Sequence, residues 1–339
     1  MAELQKKSLG ILLANTGTPD APTPKAVRRF LAQFLADPHV IEFPRWLWLS
    51  LLHGIILRVR PRRSALLYQR VWDERGSPLL YHSQDLAEKL QDTLRDQITE
   101  SSIHIAVGMR YGNPSIKSAL AELRDRGATD LFILPIFPQY SNTTSGTIIK
   151  AVFAELEKWR WMPSVQILSD YHESSVYIQS VAKNVQTYWT QNERAEKLLF
   201  SFHGIPQEYV EKGDPYQTQC LRTAELVADE LGLDEGQWLA TFQSRFGPQE
   251  WLQPYTDAML ENLGREKLAS LDVVCPGFSV DCLETVDEIG HEGRKTFQEA
   301  GGGSFAYIPA LNASDLHVNA LSQIIVGQLR LLDESALPR

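Results

Sequence analysis

The chain has 339 residues, a formal net charge of -9, and 43% apolar against 22% charged side chains, which describes a folded globular protein long enough for two domains of ordinary size. The acidic balance argues against a general nucleic-acid binder, because neutralising phosphates needs a basic surface. Three cysteines, Cys220, Cys275 and Cys282, with no CxxC pair, are too few for a cluster held by four protein thiolates and give no disulfide framework. No apolar signal segment opens the sequence and no run reaches bilayer length, so a cytoplasmic protein is expected, peripheral to the inner membrane at most.

Leu9 to Ala14 is an unbroken apolar run that ends in Asn15-Thr-Gly-Thr-Pro19, a buried first strand with Thr16 in its terminal loop. Pro24 then opens a helix with Val27, Phe30, Leu31, Phe34 and Leu35 on one face. Residues 40–59 are dense in tryptophan and leucine and are followed by Arg60, Arg62 and Arg63. That run is too short to span a bilayer. It suits a helix buried in the core or at a dimer contact, or an apolar lip for a hydrophobic substrate or a membrane face. A turn at Gly76-Ser-Pro78, a helix from Leu79 to Leu94 and a strand from Ile103 to Tyr111 come next. A helix from Ser115 to Arg126, a buried strand from Asp130 to Pro138 and a hydroxyl-rich loop carrying Tyr140 lead into a helix from Thr147 to Trp159.

A seam near 160–164 restarts the alternation. Strands at Val165–Leu168, Lys197–Phe202, Trp238–Phe242, Ala269–Cys275 and Phe305–Pro309 alternate with helices at Val176–Thr190, Tyr216–Leu231 and Leu252–Leu263, and a closing helix spans Leu316–Leu332. The expected fold is α/β: two Rossmann-like domains, 8–160 and 161–312, each a parallel sheet flanked by helices, with an active-site cleft between them. Residues 313–335 are expected to pack back on the first domain.

The stretch from Val273 to Glu292 breaks at Pro276-Gly277 and continues with Asp281, Glu284, Glu288, His291 and Glu292 at three- and four-residue steps, on one helical face. Alone, such a face describes a solvated surface helix. His203 alters the weighing: it follows a buried strand and precedes Gly204, where α/β folds place chemistry, and the acidic helix follows a strand of the same domain. An imidazole exchanges protons near neutral pH, and a carboxylate beside it can orient it, share its proton or hold a cation in transit. Thr16, Ser77, Arg110, Tyr111, Tyr140 and Trp251 stand in loops at the same edge, where arginine and hydroxyls suit carboxylates and aromatic walls suit a flat ring. Together they describe a site for a large, planar, amphipathic anion. No P-loop, no GxGxxG after a strand and no HExxH occurs, so neither a nucleotide nor a tightly held catalytic metal is expected.

Ser201-Phe-His-Gly204, Gly213-Asp-Pro-Tyr216, Phe242-Gln-Ser-Arg-Phe-Gly-Pro248, Cys275-Pro-Gly-Phe-Ser-Val-Asp-Cys-Leu-Glu-Thr285 and Leu134-Pro-Ile-Phe-Pro-Gln-Tyr-Ser141 resemble the ferrochelatases, and the likeness covers nearly the whole chain. It is nearest to the form of Gram-negative bacteria that acts on protoporphyrin IX. The resemblance implies chelatase-type domains and insertion of Fe2+ into protoporphyrin IX, the last step of protoheme synthesis, with iron as substrate and no tightly bound cofactor. It implies that His203 and Glu284 match the family's essential pair, which would also meet the iron transiently, and that Glu288 and Glu292 match acidic positions on a metal or proton path. Ser77, Arg110 and Tyr111 match positions near the porphyrin and its propionates, Thr16 and Tyr140 positions near the ring face, and Trp251 and Phe278 complete the implied binding set. Cys282 stands where other branches carry histidine, and no cysteine-bearing extension follows, so no iron–sulfur cluster is expected. Two other readings stay open: a non-catalytic tetrapyrrole or heme carrier, and a chelatase for another metal and tetrapyrrole.

Overall fold

The computed structural model describes residues 8–99 and 101–335, which form two four-stranded sheets. The first half runs β1 (Ser8–Thr18), α1 (Pro24–Leu35), α2 (Arg45–Leu51), α3 (Leu57–Val71), α4 (Pro78–Gln97), β2 (Ser102–Gly112), α5 (Ile116–Asp125), β3 (Asp130–Pro135), α6 (Thr147–Leu156) and β4 (Ser164–Ile167). The second runs α7 (Ser175–Gln191), β5 (Lys197–His203), α8 (Gln207–Glu211), α9 (Tyr216–Glu230), β6 (Trp238–Gln243), α10 (Thr256–Arg265), β7 (Ser270–Val274), α11 (Arg294–Glu299), β8 (Ser304–Ile308) and α12 (Asp315–Ser335). Three π-helical segments interrupt the pattern, at Leu52–Ile56, Asn142–Gly146 and Glu284–Gly293.

The strand orders are β2-β1-β3-β4 and β6-β5-β7-β8, and every pairing is parallel. Parallel strands joined by helices are covered on both faces, which is why β1 and β5 read as continuous apolar runs rather than alternating ones. α1 starts where proline is tolerated, with Pro24 in the first turn and the Thr23 side chain accepting from the Ala26 N–H. At the end of β1 the chain passes so close to β2 that a Cβ on Gly17 would lie 1.8 Å from the Tyr111 carbonyl oxygen, and φ there is +113°. Only glycine fits that position.

One apolar core threads both sheets, joining Ile11 of β1, Leu90 of α4, Val181 of α7, Phe200 of β5 and Leu321 of α12. α12 packs against both α4 and α7. The outer face of the first sheet is covered by α5 and α6, and that of the second by α10, α11 and the last π-helix.

Two expectations need correction. Residues 164–167 pair with β3, so the short strand assigned by sequence to a domain beginning at 161 belongs to the first sheet. The sequence offers no way to see this, because an edge strand joins whichever sheet its crossover reaches. The helix expected over 252–263 begins at Thr256; Trp251 bridges to Pro206 and Tyr255 to Phe242 instead. Pro254 explains the delay, since proline lacks an N–H and biases its predecessor away from helix. Of the readings open for 40–59, a single buried helix does not hold: Leu52 and Leu57 enter the core, but α2 has no buried residue and Trp46, Val59 and Ile55 are 73%, 68% and 58% exposed. Among the described residues no helix is long and apolar enough to cross a membrane.

Candidate active site

The carboxyl ends of β1, β3, β5 and β7 meet at one cleft between the sheets, open to solvent. In open α/β sheets ligands bind at such strand ends. His203, the last residue of β5, and Glu284, the first of the long π-helix, both line it. So do Thr16, Ser77, Trp251 and Phe278.

His203 Nδ1 lies 2.6 Å from the carbonyl oxygen of Gly204. A carbonyl only accepts, so Nδ1 carries the proton and Nε2 is left with the lone pair of the neutral ring. Gly204 is fixed in turn by its N–H, which donates to the Gln243 carbonyl at 2.8 Å. The side chain of Gln243 is buried; Nε2 donates to the Glu284 carbonyl at 2.8 Å, and Oε1 accepts from Ser201 at 2.7 Å. Gln243 thereby ties the strand that ends in His203 to the helix that begins with Glu284.

The acidic stretch does not form one uniform ladder. A π-helix closes its hydrogen bonds at i→i+5, so a turn takes more than four residues and a four-residue step falls just short of it. Glu284, Glu288 and Glu292 therefore stay roughly aligned, but Glu284 lines the cleft whereas Glu288 and Glu292 do not. Glu288 accepts from Ser244 Oγ at 2.6 Å and lies near enough to His203 to feel a proton placed on it. Burial raises its proton affinity above the ordinary value, outweighing the Ser244 hydrogen bond and the His203 charge that pull the other way. Glu292 is half exposed and pairs with Arg70 of α3 at 2.6 Å, and the same guanidinium reaches Asp287 at 3.3 Å. Asp281 is buried and does not line the cleft.

Arg110, Tyr111 and Tyr140 also lie away from the cleft wall. The Arg110 guanidinium and the Tyr111 hydroxyl both bond the buried carboxylate of Asp37, the latter at 2.9 Å. Burial by itself would raise the Asp37 carboxyl; the His39 N–H, the Tyr111 hydroxyl and Arg110 outweigh it and hold the group below its ordinary value. Tyr140 donates its backbone N–H to Gln219 at 2.6 Å, while its neighbours Gln139 and Thr143 face the cleft.

In their place α3 contributes a stripe that sequence inspection missed: Arg60, Ser64, Tyr68 and Val71 all line the cleft. Their i, i+4, i+8, i+11 spacing is the helical signal that could have revealed them. Arg60 sits 5.5 Å from the Phe246 ring and forms no ion pair among the described residues. Phe246 packs on Trp251 at 5.1 Å, and Trp251 Nε1 donates to the Phe246 carbonyl. Burial drives the Tyr68 phenol well above its ordinary value, with Glu284 and Cys282 adding to the effect, so it stays protonated. The Cys282 thiol is likewise pushed up by burial and then by Glu284. The side chains able to meet a cation in the cleft are His203 and Glu284, and among the described residues no group of three His, Cys, Asp or Glu is placed to hold a metal ion.

Two parallel sheets facing one cleft define an α/β protein of two sheet domains, a fold shared by SirB from Bacillus subtilis with Fe3+, with a TM-score of 0.51 at 14% identity over 74% of this chain and 91% of that one. The ferrochelatase family profile matches residues 8–329. A ferrochelatase of Thioalkalivibrio sulfidiphilus is 52% identical over 95% of this chain and 87% of its own length. One from Alcanivorax borkumensis is 47% identical over 97% of this chain and 96% of its own. The chain belongs to the ferrochelatase family and is a metal chelatase of the lyase class that serves heme synthesis.

Proposed function

We propose that the cleft inserts Fe2+ into protoporphyrin IX, with His203 and Glu284 as the groups that take the two pyrrole protons. The observation that carries this reading is that β5 and β7, separate strands, deliver an imidazole and a carboxylate to one apolar-walled cleft. Metallation forms four Fe–N bonds, strips water from the cation and releases two protons. With Nδ1–H committed to Gly204, Nε2 of His203 is the nitrogen free to accept one of them. Glu284 accepts the other or hands over the cation, and Glu288, buried on Ser244 with raised proton affinity, is suited to pass protons outward. Glu292 lies at the far end of the same route, paired with Arg70.

A planar macrocycle hides its nitrogen lone pairs in its plane, so walls that hold it distorted move it toward the transition state. Phe278, Trp251 and Thr16 supply ring contacts, while Arg60 and the Ser77 hydroxyl, which bonds Thr18 at 2.8 Å, suit the propionates. Arg110 and Tyr111 serve the site by holding the Asp37 loop at its rim. The exposed segment around Trp46 and Val59, with Arg58, Arg62 and Arg63 close by, is suited to peripheral membrane contact.

The test is steady-state metallation with protoporphyrin and coproporphyrin side by side. Turnover of Fe2+ with protoporphyrin preferred, and its loss in His203→Ala, is the expected result. Tight porphyrin binding without metallation would instead identify a carrier, and near-normal turnover in His203→Ala would end the assignment of that residue.

A further inference from the structure

Asp281 stands three residues before Glu284, and its carboxylate is fully engaged. Oδ1 accepts from the Tyr307 hydroxyl at 2.5 Å and the Thr285 hydroxyl at 2.9 Å. Oδ2 accepts from the Asn312 amide at 2.7 Å, and Asn312 Oδ1 accepts in return from the Asp281 backbone N–H at 2.8 Å. A primary amide is the side chain that presents a donor and an acceptor side by side in this way. Asn312 is held by its own backbone: its N–H donates to the Ser279 carbonyl at 3.0 Å, and its carbonyl accepts from His317 Nδ1 at 2.6 Å. Its φ of 49° lies in the left-handed region that asparagine tolerates better than most residues. Neither Asn312, Asp281 nor Tyr307 lines the cleft.

Thr285 Oγ1, the partner of Asp281, also accepts from the Cys282 N–H at 3.0 Å. The backbone on the entering side of Glu284 is thus clamped to the loop between β8 and α12, while its own carbonyl is clamped to β6 by Gln243. We infer that Asn312 is a positioning residue that pins residue 281, and through it the first turn of the π-helix, so that the Glu284 carboxylate enters the cleft at a fixed place. Asp281 is then a buried anchor rather than part of the acidic route. This inference rests on the proposed role of Glu284.

Asn312→Gly tests it, because glycine keeps the left-handed backbone and loses only the amide. Displacing a reacting group by about 1 Å costs on the order of a hundredfold, so kcat is expected to fall about tenfold to a hundredfold while KM for the porphyrin stays within about twofold. Asn312→Asp sets a second carboxylate against Asp281, and Asp281→Asn sets amide against amide. Each alone should lose kcat, and the two exchanged together should recover activity, because one acid again faces one amide. A kcat for Asn312→Gly within about twofold of wild type, a loss carried by KM, or an exchanged pair no more active than the better single variant would each overturn the inference. Glu284→Gln is assayed alongside. If it retains turnover, the reading of Glu284 fails; if it abolishes turnover while Asn312→Gly does not, the positioning role alone fails.

Discussion

Asp37 illustrates how a single side chain can support a site it does not enter. It collects the Arg110 guanidinium, the Tyr111 hydroxyl and the His39 N–H, so it fixes the turn between α1 and the exposed segment that follows. Its carboxyl is held below the ordinary value of 3.8, so the stabilisation is complete above that value and is lost as pH falls through the lower folded one. Asp37→Asn is therefore expected to cost about 1–3 kcal/mol at pH 7. The gap between variant and wild type, measured from urea midpoints, should narrow once the pH drops below the ordinary carboxyl value. A gap that stayed constant with pH would mean the ionised form does not matter. Arg110 and Tyr111 were visible in the sequence as residues at a strand end. That they face a carboxylate 73 and 74 positions away was not, because no local pattern records a long-range contact.

At the scale of elements, the helix carrying the acidic residues depends on what lies behind it. α10 and α11 pack so closely that a Cβ on Gly264 would sit 2.5 Å from the Phe297 carbonyl oxygen and 2.6 Å from the Ala300 Cβ. Gly264→Ala is expected to lower stability by about 1–3 kcal/mol, through overpacking. Because Gly264 does not line the cleft, kcat should change little once the protein is folded. Denaturant midpoints and turnover measured on the same preparation separate the two; an unchanged midpoint would show that the helices part without strain. The periodicity of 284–292 was legible as helical, yet the π form was not. Hydrogen-bond register depends on which carbonyls the tertiary neighbours claim, and here Gln243 takes the Glu284 carbonyl.

Across the whole molecule, the segment after α1 joins the two halves on one side of the cleft. The Tyr209 hydroxyl donates to the Val40 carbonyl and accepts the Glu42 N–H, and Lys212 pairs with Glu42 at 2.8 Å. Beyond those ties Phe43, Trp46, Leu47, Leu51, Ile55 and Val59 are exposed together. An apolar ridge flanked by arginines predicts binding to vesicles containing anionic lipid, weakened by salt and by Trp46→Glu. Sedimentation with anionic and with neutral vesicles checks it; equal recovery of wild type and Trp46→Glu would exclude the ridge as the contact.

Local residue patterns suffice for the alternation of strands and helices, the buried character of β1 and β5, and the placing of His203 and Glu284 after strands. Those features are local: apolar runs, periodicity and turn residues write them into neighbouring positions. The family motifs that identify the chain are likewise short and contiguous. Three features came only with the folded chain: β4 completes the first sheet, α3 rather than Arg110 presents a cation to the cleft, and Asn312 bonds Asp281 just before Glu284. Each depends on residues brought together from distant parts of the chain, and such contacts follow from how apolar faces pack, which no short window of sequence contains.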